Sequence, residues 1–261
     1  MADTGLRAHV GTAAPKIGTF IFEFATPGVG QIVKAAGADY AVLDMEHSGF
    51  GFDTVRAAVA SMRAAALPVV VRVPSQRRED ISRVLDAGAD GIMVPMVRSA
   101  EEARHVLDVA KYHPDGKRGV AMGFAHDRFT PPSTPLPDHF AAHNARTIVM
   151  LQIENGSGAE AADAMAAMDG VDVLWVGHFD LSVSLGIPGR FEHPDFRRAV
   201  DLTLAACRRH GKSAGRLAAT VEECAALHAQ GFDFLSISHD VGLFQTALSR
   251  GVSDLRSACR S

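Results

Sequence analysis

TIVMLQIEN at 147–155 and VDVLWVGHFDLS at 171–182 flank a small-residue segment, Ala159–Met168, and the reading of this stretch decides the fold. Two apolar runs of strand length, bounded by Gly or Asn and joined by a short helix, read as buried parallel strands of a βαβ unit. Glu154 closes the first run and Asp180 follows the second. In parallel α/β architectures the loops after the strands converge at their carboxyl ends, and chemistry gathers there. Two carboxylates on such a rim suit a hard divalent cation, which takes oxygen donors and keeps positions open for substrate. The same two positions are where helix caps fall, so spacing alone leaves capping open for both.

Working outward, the pattern repeats. Strands are predicted at Lys16–Glu23, Tyr40–Glu46, Pro68–Pro74, Gly91–Pro95, Ser213–Leu217 and Phe234–Ser238, besides the two above. Between them fall helices at Val29–Ala36, at Asp53–Ala66 with Asp53 as its cap, around Ile81, Val84 and Leu85, at Asp195–Arg209, and from Asp240 onward. Ser99-Ala-Glu-Glu102 and Thr220-Val-Glu-Glu223 have the spacing of capping boxes, in which hydroxyl and carboxylate satisfy each other's backbone amides. Residues 1–15 read as a short helix or arm. Gly116–Arg146, rich in Pro and aromatics, is too long for an ordinary connection. It is expected to be an irregular functional or interface loop that contributes to an acceptor pocket. Eight strand–helix alternations without a Pro/Gly/Ser linker give a single (β/α)₈ barrel over residues 1–261, with no domain boundary.

Composition narrows the function classes. A hydrophobic fraction of 47% and a charged fraction of 21% describe a globular chain with ample core. A net charge of −4 and the lack of any Lys/Arg block argue against nucleic acid as a partner. The three cysteines, Cys207, Cys224 and Cys259, show no metal or redox spacing and read as reduced thiols of a cytoplasmic protein. With no signal-type start and no apolar run of membrane length, neither secretion nor a membrane span is predicted.

The strand assignment places Glu23, Asp44, Glu46, His47, Arg72, Gln152, Glu154 and Asp180 at carboxyl ends. Asp44, three residues before His47, is positioned to orient the imidazole as a general base. Arg72 lies within the apolar run VVVRVP at 69–74, where a barrel-lining cation needs an internal carboxylate partner or a substrate anion. The five lysines, Lys16, Lys34, Lys111, Lys117 and Lys212, all fall away from carboxyl-terminal strand ends. Schiff-base catalysis needs a desolvated lysine at the substrate carbonyl, so a metal ion acting as Lewis acid is the natural substitute.

YAVLDMEHSGF (40–50), VVVRVP (69–74), LDAGADGIMVPMVRSAEEA (85–103), MLQIEN (150–155), VGHFDLSVSLGIPG (176–189), GKSAGRLA (211–218) and SHDVGLF (238–244) resemble, in the same order, the HpcH/HpaI aldolases. The resemblance covers roughly residues 16–245 and implies a metal-dependent aldolase of 2-oxo acids. It implies that Glu154 and Asp180 hold a divalent cation (Mg²⁺, Mn²⁺ or Co²⁺) and that Arg72 binds the pyruvate oxygen. Gln152, Gly177 and Asp180 would line the substrate site, and His47 with Asp44 would transfer the proton. Asp86 matches a position that works near the histidine of a neighbouring subunit; read alone, it is a surface residue at a helix end. The family's swapped last helix and trimer-of-dimers assembly would suit Asp240–Arg256 and a homo-hexamer.

The resemblance thus implies reversible aldol cleavage or addition of a pyruvate- or hydroxypyruvate-type donor and an aldehyde, through an enolate held by the metal. A CoA-ester lyase of the citrate-lyase-β type and a non-catalytic 2-oxo-acid-binding barrel are the alternatives. One departure stands out. Many members carry Gly-Pro-Ala-Asp or Gly-Pro-Asn-Asp where this chain has Gly177-His-Phe-Asp180, so the metal aspartate is kept while His178 and Phe179 change the wall beside it. For His178 a packing or supporting role is preferred to direct ligation.

Overall fold

All eight expected strands form, and each pairs in parallel with the next until β8 returns to β1 and closes the barrel. The computed structural model describes residues 5–12 and 14–260; the ends of the expected arm and chain at 1–4, 13 and 261 lie outside the described residues. The strands are β1 (Lys16–Ile21), β2 (Tyr40–Asp44), β3 (Val69–Arg72), β4 (Gly91–Val94), β5 (Ile148–Ile153), β6 (Val173–Val176), β7 (Ser213–Ala218) and β8 (Phe234–His239). The helices are α1 (Val29–Ala35), α2 (Phe52–Ala64), α3 (Arg78–Asp86), α4 (Ala100–Ala110), α5 (Leu136–Arg146), α6 (Gly156–Ala166), α7 (His178–Ser184), α8 (Pro194–His210), α9 (Val221–Gln230) and α10 (Asp240–Ala258).

The period-two alternation of strands sorts the buried residues into two layers. Phe20, Tyr40, Val42, Val70, Met93, Ile148, Met150, Val173, Trp175 and Phe234 fill the barrel interior. Leu43, Val71, Val94, Leu151, Leu174 and Val176, at the alternate positions, pack outward under the helices. Carried to the strand ends, the inward parity falls on Asp44, Arg72, Gln152 and Glu154, all of them buried. Polar side chains therefore replace apolar ones in the topmost interior layer, and that exchange makes the site.

The opposite mouth is plugged by the N-terminal arm. Leu6, in a 3₁₀ turn at Leu6–His9, joins the interior cluster. Arg7 pairs with Asp172 at 2.8 Å, and the Gly11 amide donates to Ser213 Oγ. Ser99 and Thr220 cap α4 and α9 as their boxes predict, accepting from the amides of Glu102 and Glu223.

Two expectations need correction. Asp53 is not the cap of α2: Gly51 holds that position and Asp53 sits in the first turn, where its charge favours the positive end of the helix dipole. The segment 116–146 is not irregular throughout, since it contains a 3₁₀ turn (Ala125–Asp127) and all of α5. Pro135 and Pro137 at the start of α5 are tolerated there because the first-turn amides have no helical partner, and they mask the helix in the sequence. Because this segment joins α4 to β5, it lies on the amino-terminal face, away from the rim of its own barrel. Within the chain it cannot wall the pocket expected of it.

Candidate active site

Asp44 and Arg72 are register partners on neighbouring strands, so their inward side chains meet. Arg72 Nε donates to Asp44 Oδ1 at 2.5 Å, and its Nη1 stands 3.1 Å from Glu46 Oε2. The rings of Phe20 and Phe22 lie 5.3 and 5.7 Å from the guanidinium carbon and shield it from water. The internal ion pair allowed for Arg72 is therefore present. Asp44, 0% exposed, also accepts from the amides of Glu46 and His47 at 3.2 and 2.8 Å, which fixes the bend after β2. It reaches His47 through the backbone. The carboxylate beside the His47 ring is that of Glu46, with Oε2 3.8 Å from Nε2. The imidazole is 60% exposed and stands at the mouth.

Across the barrel, Glu154 Oε2 accepts from the Met96 amide at 2.8 Å, and Oε1 accepts from Gln152 Nε2 at 3.0 Å. Burial pushes the Glu154 carboxyl up to about 7, and the nearby charges of Glu46 and Asp180 push the same way. The Met96 hydrogen bond and Arg72 oppose them only in part. Glu46 is likewise raised, first by burial. Neither Glu154 nor Asp180 is a helix cap: Asn155 caps α6, accepting from the Gly158 amide at 2.7 Å, and Gly177 is the N-cap of α7. Asp180, in the first turn of α7, is exposed to the mouth. Gly177 is needed as glycine because a Cβ there would fall on the Glu154 carboxylate.

Four carboxylates, Asp44, Glu46, Glu154 and Asp180, thus share one guanidinium that two of them already engage. Among the described residues Gln152 Oε1 is buried with no hydrogen-bond partner, and Glu46 Oε2 has only ion-pair contacts, with Arg72 and His47. An all-oxygen donor set with surplus negative charge and an unsatisfied amide oxygen fits a hard divalent cation.

The other expected residues fall elsewhere. Glu23 is exposed at the end of the β1 loop. His178 packs its ring against Phe179 and Phe191 at 4.4 and 5.2 Å, and burial, helped by Arg216, holds its imidazole down at about 4. It serves as a neutral packing group. Asp86 ends α3 on the amino-terminal face and accepts from Arg118 Nη2 at 2.6 Å, so any service to a His47 is between subunits. Lys111 is a desolvated lysine with its ammonium brought down to about 8, yet it donates to the carbonyls of Asn144 and Thr147 at the wrong end of the barrel. The internal carboxylate partner allowed for Arg72 is supplied by two of the expected rim carboxylates, Asp44 and Glu46. The Met96 amide on Glu154 was not expected, and no sequence signal announces it.

A closed parallel barrel with an oxygen-donor cluster and a clamped arginine on its carboxyl rim, and among the described residues no lysine beside them, has the parts of a cation-assisted enzyme acting on a small anion. Residues 16–247 match the HpcH/HpaI aldolase/citrate lyase family, and the chain belongs to it. It is 32% identical over 226 residues to the 5-keto-4-deoxy-D-glucarate aldolase of Klebsiella pneumoniae, covering 87% of each chain. The crystal structure of an HpcH/HpaI aldolase from Desulfitobacterium hafniense superposes with a TM-score of 0.89 at 32% identity, covering 97% of this chain and 96% of that one. A citrate synthase structure, SbnG, superposes at 0.86 with 28% identity, covering 98% and 99%.

Proposed function

We propose that this chain catalyses reversible aldol cleavage of a 2-oxo acid, with Glu154 and Asp180 holding Mg²⁺, Mn²⁺ or Co²⁺, and with pyruvate or hydroxypyruvate as the donor half. The observation that carries this is the buried Glu154–Gln152 pair facing Asp180 and Glu46 across from Arg72. A divalent cation bound there would polarise the carbonyl of a chelated 2-oxo acid. The residues of the chain do the rest. Arg72, fixed by Asp44, Glu46 and two aromatic rings, presents a preorganised positive charge to the oxygen on which negative charge develops. Gln152 Oε1 is available to a donor on cation-bound water or substrate. His47, at the mouth with Glu46 beside it, moves the proton at C3: it takes it in the addition direction and returns it after cleavage. Phe20 and Phe22 keep water from the arginine.

The acceptor half is an aldehyde entering past His178 and Phe179. The substrate named in the Klebsiella relative, 5-keto-4-deoxy-D-glucarate, is the first to assay. Assembly into a homo-oligomer is supported by α10, which packs on β1 and β8 and leaves Leu243, Phe244, Leu248, Val252 and Leu255 exposed. A cytoplasmic setting is supported by three free cysteines. Among the described residues no helix is long and apolar enough to cross a membrane.

Exchange of the C3 protons of pyruvate in D₂O, followed by NMR, tests the reading without knowledge of the aldehyde. Chelated protein should be silent and should recover on adding Mg²⁺ or Mn²⁺. His47→Ala should exchange on the order of 10²–10⁴ more slowly while still binding the ion. Full exchange by His47→Ala would remove the base assignment. Cleavage of a CoA thioester without any pyruvate exchange would replace the aldolase reading altogether.

A further inference from the structure

On α5, His139 and His143 are four residues apart and so share one helix face. Asp127, the last residue of the 3₁₀ turn, comes across to meet them. Its Oδ1 lies 2.8 Å from His143 Nε2 and 3.2 Å from His139 Nε2, and one donor atom from each of the three residues falls within 4.8 Å of the others. Ligand atoms around a tetrahedral ion with bonds of about 2.0–2.2 Å stand roughly 3.3–3.5 Å apart, so the two imidazoles and the carboxylate are close enough to close on one ion by small side-chain rotations. The side chains of Asp127 and His143 are 3% and 4% exposed, whereas His139 is 14% exposed and leaves one open side for a water.

We propose that Asp127, His139 and His143 form a second metal site, selective for a borderline transition ion such as Zn²⁺ and separate from the site at the rim. The two-imidazole, one-carboxylate set is the donor chemistry of Zn²⁺, Ni²⁺ or Co²⁺ rather than Mg²⁺. The neighbours reinforce this choice. Arg146 Nη2 lies 2.8 and 2.9 Å from Nδ1 and Nε2 of His143, so the guanidinium must swing off Nε2 before an ion binds, and the covalent strength of a borderline ion's bonds to imidazole is what can offset its charge. The Asp127 carboxylate is itself anchored by the Gly123 amide at 2.8 Å. His126 stands 3.3 Å from Asp127 Oδ2, but its Nε2 is engaged by the Ala121 carbonyl, so it supports the carboxylate and is not a ligand. The site lies on the amino-terminal face, since α5 feeds directly into β5, whose six residues place it roughly 20 Å from Glu154. An ion there would tie the turn at 123–130, where Arg128 and Phe129 both adopt left-handed backbone, to α5.

The test uses full-length protein stripped with chelator and titrated with Zn²⁺ by calorimetry, with bound metal counted by mass spectrometry. An Asp180→Asn background disables the rim site. One equivalent of Zn²⁺ should remain in Asp180→Asn and raise Tm by several degrees. Adding His139→Gln or His143→Gln should abolish both effects. His139→Gln alone should keep Mg²⁺-dependent pyruvate exchange, which shows that it folds. Zn²⁺ stoichiometry unchanged by the His139 and His143 substitutions, or lost in Asp180→Asn alone, would overturn the proposal.

Discussion

At Gly177 the barrel omits a side chain so that the Glu154 carboxylate can stand where a Cβ would be. The backbone there is ordinary, with φ −84°, so alanine fits the main chain and acts only by displacing the carboxylate. Gly177→Ala should therefore weaken Mg²⁺ or Mn²⁺ binding by about 10–100-fold, the cost typical of disturbing a ligand's support, with Tm nearly unchanged. Calorimetric titration alongside a thermal melt checks this, and undiminished affinity would show that Glu154 is not a ligand. The residues that sequence could place here are those whose side chains obey strand parity: Asp44, Arg72, Gln152 and Glu154. Met96 could not be placed, because it contributes a backbone amide at φ +57°, a conformation that nothing in the residue type announces. Glu46 was among the possible partners of Arg72, but its engagement could not be assigned from sequence, since β2 stops at Asp44 and the bend beyond it sets where Glu46 points.

At the scale of elements, the β1–α1 loop that carries Phe22 depends on the first residue of α10. Asp240 accepts from the amides of Phe22, Glu23 and Phe24 at 3.1, 2.9 and 2.7 Å, and from Val241 at 2.8 Å. One carboxylate thus holds the last helix to the lip of the site, and Phe22 in turn packs on Arg72. Asp240→Asn substitutes a donor for one acceptor oxygen and confronts these amides with an N–H. A loss of about 2–3 kcal/mol is expected, the range for hydrogen bonds to a charged group. Urea denaturation measures the loss, and hydrogen exchange should show the amides at 22–24 deprotected. Protection unchanged at those three amides would mean that the loop is held by packing instead. Strand order was legible throughout because apolar runs and capping boxes repeat. The 116–146 segment was not, because prolines opening α5 imitate a loop and a chain read in one dimension does not say which end of the barrel a long connection occupies.

Taken whole, the barrel has two unlike polar ends. The carboxyl end concentrates negative charge that a cation would neutralise. The amino-terminal end is sealed by the arm and by Lys111, which is 1% exposed and bound to the Asn144 and Thr147 carbonyls. If, as proposed, the exposed apolar row on α10 seats a second copy of the chain, light scattering on eluting protein should give a mass above the monomer's, and Leu248→Asp should lower it. Sealing the floor with a buried lysine has a consequence for stability that pH exposes. Its ammonium is brought from 10.5 to about 8 chiefly by burial, with the charges of Arg7 and Arg118 acting in the same direction. Below pH 8 both folded and unfolded chains carry this proton, and the folded state bears the full desolvation cost, on the order of 3 kcal/mol. Between about pH 8 and 10 the folded chain has shed the proton while the unfolded chain retains it, so this residue makes stability rise with pH. Lys111→Met fills the same space without a titrating group and should lack that rise. The measurement is the difference in unfolding free energy between the two proteins from pH 7 to 10, which removes the contributions of the cysteines and tyrosines common to both. The difference should shift toward the parent protein as pH increases. Parallel curves would mean that the ammonium is well solvated and that the floor of the barrel is wetter than its packing indicates.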